Sequence, residues 1–155
     1  MQETVSVTID APRADVWAVV TAIEDAATTI SAVERVEIIE RPERGILGLK
    51  WKETRTVFGK SADETIWFTA VDDGTSYATE ARSHGSVYRT LLELAEVSGG
   101  TLVTMTFSAQ ASSTGAKVLS TLLGPLIRRS VGKALRQDLL DVKATVESRR
   151  TPGGT

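Results

Sequence analysis

Apolar and polar residues alternate along most of this chain, and the exceptions recur at helical spacing. "ETVSVTI", residues 3–9, places Val5, Val7 and Ile9 on one side of a strand. In "APRADVWAVVTAI" the period changes, with Val16, Val19, Val20 and Ile23 at helical intervals. Pro12 falls near the first helical position and Asp15 in the first turn, where a missing N–H and a negative charge are tolerated or favoured. "EDAATTI" predicts a second, short helix. Alternation then returns in six segments: "VERVEIIER", "LKWKETRTVF", "ETIWFTAVD", "SYATEARS", "SVYRTLLELAEV" and "TLVTMTFSAQA". Turn signals at Arg44-Gly45, Gly59-Lys60, Asp73-Gly74, Gly85 and Gly99-Gly100 separate them. Connections this short join consecutive strands antiparallel.

A long amphipathic segment follows, from about Ala116 to Glu147, with Leu119, Leu122, Leu123, Leu126, Ile127, Val131, Leu135, Leu139, Val142 and Val146 on its apolar stripe. Pro125 has no N–H to donate and its ring crowds the preceding turn, so a kink or break is expected there. Seven antiparallel strands twist too strongly to lie flat and should curl around this last helix. The expected fold is α+β, with a seven-stranded curved antiparallel sheet wrapped on a long C-terminal helix and two short helices after the first strand. Residues 1–148 read as a single domain. Residues 149–155, "RRTPGGT", read as a disordered tail.

This element order resembles the helix-grip (START-like, SRPBCC) superfamily, and so do "IDAPRADVW", "WKETRTVFGK" and "SHGSVYRTLLELAEVSGGTLVTMTF". Its bacterial polyketide cyclase/dehydrase-like branch is the nearest in character, and the similarity spans residues 3–148. The resemblance implies a deep, mostly apolar cavity between sheet and C-terminal helix, with its mouth near the short helices and the strand-connecting loops. Members include carriers, hormone receptors, cyclases, hydrolases and co-chaperones, so the fold does not settle the function.

Composition narrows the choices. The 155 residues suffice for one substantial core. Lys and Arg number 18 against 20 Asp and Glu, and no basic run is present to neutralise phosphates, which argues against a nucleic-acid partner. The absence of cysteine excludes disulfides, thiolate catalysis and zinc-thiolate sites. The single His84 excludes a site built on two imidazoles. Neither a metal nor a cofactor is expected. No apolar run approaches the ~20 residues of a membrane span, and "MQETVSVTID" alternates like a strand, not like a signal peptide. A cytoplasmic protein, monomeric or homodimeric, is the expectation.

The strand "LKWKETRTVF" carries the candidate chemistry. Trp51, Glu53 and Arg55 share the parity that should face inward, while Lys50 and Lys52 face water. A buried carboxylate and guanidinium ~7 Å apart along a strand form a structural ion pair on one reading. On the other, Arg55 meets an anionic or carbonyl group of a ligand and Glu53 orients it. Ile66 and Phe68 take the inner side of the next strand, with Trp67 outward. Tyr88 shares its parity with Thr90, Leu92 and Leu94, which brings a phenol onto an apolar face. Leu92, Met105, Phe107, Leu122 and Leu126 are the expected apolar walls. By parity His84 points outward with Glu80 and Arg82; a twist at Gly85 would instead turn it inward as a polar or acid–base group.

Two functions fit these residues. One is binding of a small hydrophobic or amphipathic molecule (a lipid, a polyketide or an aromatic compound) with its polar end at Arg55, Glu53 and Tyr88. The other is a cyclase or dehydratase using the same groups, for which no unambiguous general base is evident. A co-chaperone-like docking face would need an exposed apolar patch, and the lysine- and threonine-rich outer parity of residues 50–56 speaks against one.

Overall fold

The computed structural model describes the backbone of residues 1–83, 86–111 and 114–150, and the side chains of these except residues 83, 111 and 114–127. β1 (Gln2–Ile9) leads through α1 (Arg13–Val20), a 3₁₀ turn (Ile23–Asp25) and α2 (Ala26–Thr29) into β2 (Val33–Glu40). β3 (Lys50–Val57), β4 (Lys60–Asp72), β5 (Ser76–Ser83), β6 (Ser86–Val97) and β7 (Gly100–Ala111) then form a meander before α3 (Thr114–Arg150). The seven strands make one sheet in the order β1-β7-β6-β5-β4-β3-β2, antiparallel at every pairing. β1 and β2 are therefore at opposite edges, and the short helices carry the chain between them.

α3 packs against β1 and β7 and touches both α1 and α2. Polar ties fix it on each side. Lys143 Nζ donates to the Thr8 carbonyl at 2.8 Å, and the Asp10 N–H donates to Glu147 Oε2 at 2.9 Å. On the other side the N–H and Oγ of Ser31 both donate to Asp141 Oδ2, at 2.9 and 2.7 Å. Beneath the helix lies the larger core, in which Ile9, Val16, Val103, Leu139 and Val146 are almost fully buried. Each such side chain contributes roughly 1.5–3 kcal/mol by leaving water. A second, smaller core of Leu49, Trp51 and Phe68 sits on β3 and β4. Tyr77 packs against both.

The β6–β7 turn shows how closely the first strand is held. Gly100 has φ +144°, and a Cβ there would lie 2.0 Å from the Ile9 carbonyl oxygen, so no other residue fits.

Most expected elements are present, with three differences. β4 begins at Lys60, four residues earlier than its apolar alternation, because pairing of residues 60–63 with 54–57 satisfies the backbone whatever the side chains. The break expected at Pro125 does not occur: one helix, Thr114–Arg150, runs through it. A proline removes one hydrogen bond from the ladder, and the leucines and arginines of "TLLGPLIRR" favour the helix on either side of it. That helix also takes in Arg149 and Arg150, which the sequence pattern places in the tail; residues 151–155 lie outside the described residues.

Candidate functional site

Between the two cores the sheet and α3 stand apart and enclose a cavity of about 400 Å³. Trp51, Glu53, Arg55, Ile66, Phe68, Tyr88, Leu92, Met105 and Phe107, all read from strand parity, line it. The aromatic residues form two groups. Trp51 and Phe68 meet at 5.2 Å, Phe68 and Tyr77 pack edge-to-face at 5.0 Å, and Tyr88 stacks on Phe107 at 5.7 Å.

Beside Trp51 on the same face of β3 begins a polar end, built around Arg55. Its Nε donates to Glu53 Oε2 at 3.2 Å and its Nη1 to Asp138 Oδ2 at 2.8 Å. The second bond spans from β3 to α3, so it joins the two halves of the molecule across the cavity. The three side chains are 24%, 11% and 12% exposed respectively for Arg55, Glu53 and Asp138, which places the triad largely out of water. Glu64, the cross-strand partner of Glu53, lines the same space. It accepts no hydrogen bond from a described residue.

A family model described as polyketide cyclase/dehydrase and lipid transport matches residues 2–147. The chain belongs to that family. No curated protein sequence matches it significantly. Among solved structures, TTHA0849 of Thermus thermophilus is similar with a TM-score of 0.81 at 16% identity, covering 97% of this chain and 100% of its own. A START superfamily protein from Mycobacterium smegmatis aligns with a TM-score of 0.79 at 12% identity, covering 95% of this chain and 97% of that one. The Zhui aromatase/cyclase of Streptomyces sp. R1128 aligns with a TM-score of 0.76 at 18% identity, covering 100% and 99%. At these identities the structural likeness establishes the helix-grip fold and nothing finer.

Within this polyketide cyclase/dehydrase-type fold, electrostatics at the polar end follow from burial. Burial lowers Arg55, but Asp138 and Glu53 beside it outweigh that and hold it above its ordinary value. Asp138 is pushed above the usual aspartate range by burial, which Arg55 only partly offsets. Glu64 is likewise raised, first by burial and then by Glu53. The Tyr77 hydroxyl is raised by burial and by the negative charge of Glu53 and Asp138. Three carboxyl groups surround one guanidinium.

Asp138, Glu64 and Tyr77 are the residues that strand-by-strand reading missed, and each carried a signal. Asp138 lies seven positions after Val131 and four before Val142, on the apolar stripe of the helix. Glu64 shares its parity with Ile66 and Phe68, and Tyr77 with Thr79 and Ala81.

The outer face corrects one expectation. Lys50 and Lys52 are half-buried, not open: Lys50 lies over the Trp67 ring at 5.8 Å, and Lys52 reaches Glu37 and Asp63 at 3.8 and 3.9 Å. Trp67 does face outward, between Lys50 and Arg82. Thr54, on the same face, is buried because its hydroxyl donates to Asp63 at 2.7 Å. Trp17 packs against the larger core and meets Tyr77 at 6.2 Å. His84 and the side chains of Leu122 and Leu126 lie outside the described residues.

Proposed function

We propose that this protein binds a small hydrophobic or amphipathic molecule in the cavity, with its apolar body against the aromatic wall and its polar end at Glu53, Arg55, Asp138 and Tyr88. The observation that carries this reading is the cavity itself. About 400 Å³ lies within the range of small-molecule sites, and apolar walls converge on a few polar groups. A space this large left empty would forfeit packing that a globular protein ordinarily keeps. Membership of a family described by both cyclisation and lipid transport supports the same chemistry of ligand.

Native mass spectrometry with solvent extraction of the purified protein tests it. A co-purifying hydrophobic molecule is the expected result. Ala81→Trp, which fills the cavity from the buried face of β5, should abolish retention while the protein remains folded. Retention of the same molecule by that variant would place the ligand elsewhere.

A second reading is catalysis, as a polyketide cyclase or dehydratase. Glu64 favours it, as a carboxyl group in the cavity held towards its protonated form and free of hydrogen bonds to described residues. A carboxyl group so placed is of the type that serves as general acid or base. Turnover of a poly-β-ketone thioester that is lost in Glu64→Gln would favour this reading over simple carriage.

A further inference from the structure

The polar end of the cavity has an unequal charge count. Among the described residues that line the cavity, the ionisable groups are Glu53 and Arg55 on β3, Glu64 on β4, Tyr77 on β5, Tyr88 on β6 and Asp138 on α3. Arg55 is the one cation among them, and two of the three carboxylates already hold it, at 3.2 and 2.8 Å. A ligand carboxylate arriving at Arg55 would therefore be the fourth acid around one guanidinium. Like charges crowded in a water-poor space repel strongly. The presence of Asp138 and Glu64 weighs against Arg55 as the anchor of an anion.

Of the two unmet hydrogen-bonding groups, the Glu64 carboxyl calls for a donor and the Trp51 indole N–H for an acceptor. Glu64 has acceptor oxygens and no donor from a described residue. Trp51, 3% exposed and in the same wall, has an indole Nε1 with no partner among the described residues. The β3–β4 register sets Trp51 opposite Ile66 and Glu53 opposite Glu64. Trp51 and Glu64 are thus diagonal neighbours on one face, on the order of 7–8 Å apart. A small polar group entering there meets the Glu64 acceptor, with the negative charge of Glu53 beside it.

We propose that the polar end of the cavity selects a hydrogen-bond-donating head group, a protonated amine before a hydroxyl and either before a carboxylate, with Glu64 as the acceptor. This rests on the cavity being the binding site. An ammonium has only donors to offer and supplies the countercharge that the third carboxylate lacks. A hydroxyl supplies the donor without the charge. Its oxygen can also accept from Trp51, as a carboxylate could, but a carboxylate supplies neither the donor nor the countercharge.

Three probes with one aromatic body separate the cases: 1-naphthylmethylamine, 1-naphthalenemethanol and 1-naphthoate, each titrated into the wild-type protein and into Glu64→Gln at pH 7. The expected order of affinity is amine, alcohol, carboxylate, with about tenfold or more between the first and last, the size of a charge-assisted hydrogen bond. In Glu64→Gln the amine should lose about tenfold and the carboxylate should gain, while the alcohol changes least. Carboxylate binding equal to or tighter than amine binding would overturn the proposal and leave the cavity reading intact. Equal losses for all three probes in Glu64→Gln would overturn the role of Glu64. Binding of none of them would overturn the cavity reading, and this inference with it.

Discussion

Arg55→Met tests whether the triad closes the molecule across its cavity. Methionine keeps most of the aliphatic length of the side chain and removes the charge. Glu53 and Asp138, both about nine-tenths out of water, then lose the group that bridges β3 to α3. Breaking a buried pair from one side costs roughly 3–5 kcal/mol, most of it from the stranded partner. For a chain of 155 residues that corresponds to a melting temperature lower by about 6–20 °C. The deficit must also depend on pH. Burial already holds Asp138 above its ordinary value of 3.8, and Arg55 is the main group opposing that rise. Without Arg55 the folded pKa climbs further above the unfolded one. Stability is then fullest below the unfolded value and falls as pH rises through the folded value. Urea and thermal melts of wild type and variant at pH 4 and pH 7 should show a small deficit at the lower pH and the full one at the higher. Asp138→Asn should cost less, since Arg55 keeps Glu53. A variant within about 1 kcal/mol of wild type at pH 7, or a deficit that does not change with pH, would refute the argument.

Other consequences follow from single residues. Glu64 is held above 4.5 by burial and by Glu53, so its contribution is present at low pH and lost as pH rises. Glu64→Gln should match wild type near pH 4 and exceed it at pH 8 in urea denaturation, flattening the difference that wild type shows. Gly100→Ala must displace the end of β1, because the new Cβ would sit 2.0 Å from the Ile9 carbonyl oxygen; a loss of at least ~2 kcal/mol in a denaturant melt is expected. Phe58 is 82% exposed with φ +50° in the β3–β4 turn. Phe58→Asn should stabilise by up to ~1 kcal/mol, since asparagine tolerates that backbone and Asn-Gly suits such a turn.

Strand faces and order were legible because alternation follows from burying one side of a sheet, and β5 and β6 begin and end where their patterns do. The sheet's curvature around α3 followed from strand number. What parity could not convey was depth. It identified Glu53 and Arg55 as inward without their third partner, because Asp138 lies 83 positions from Arg55 and reaches it only through folding. It also treated the outer face as uniformly wet, whereas Asp63 covers Thr54 and the Trp67 ring covers part of Lys50. At Pro125 the limit was the opposite one: a local rule about one hydrogen bond could not say that a helix of 37 residues continues through it without a break.

The three tryptophans offer the most direct test of the central claim, that the cavity is where a ligand sits. Trp51 lines it, Trp67 faces outward between Lys50 and Arg82, and Trp17 packs in the larger core. In a ¹H–¹⁵N correlation spectrum each gives one indole N–H signal. Saturation with 1-naphthylmethylamine should move the Trp51 indole and the backbone amides of Leu92, Phe107 and Leu139, and leave the Trp67 indole in place. Movement of Trp67 with Trp51 unchanged, or no movement at saturating ligand, would contradict the account.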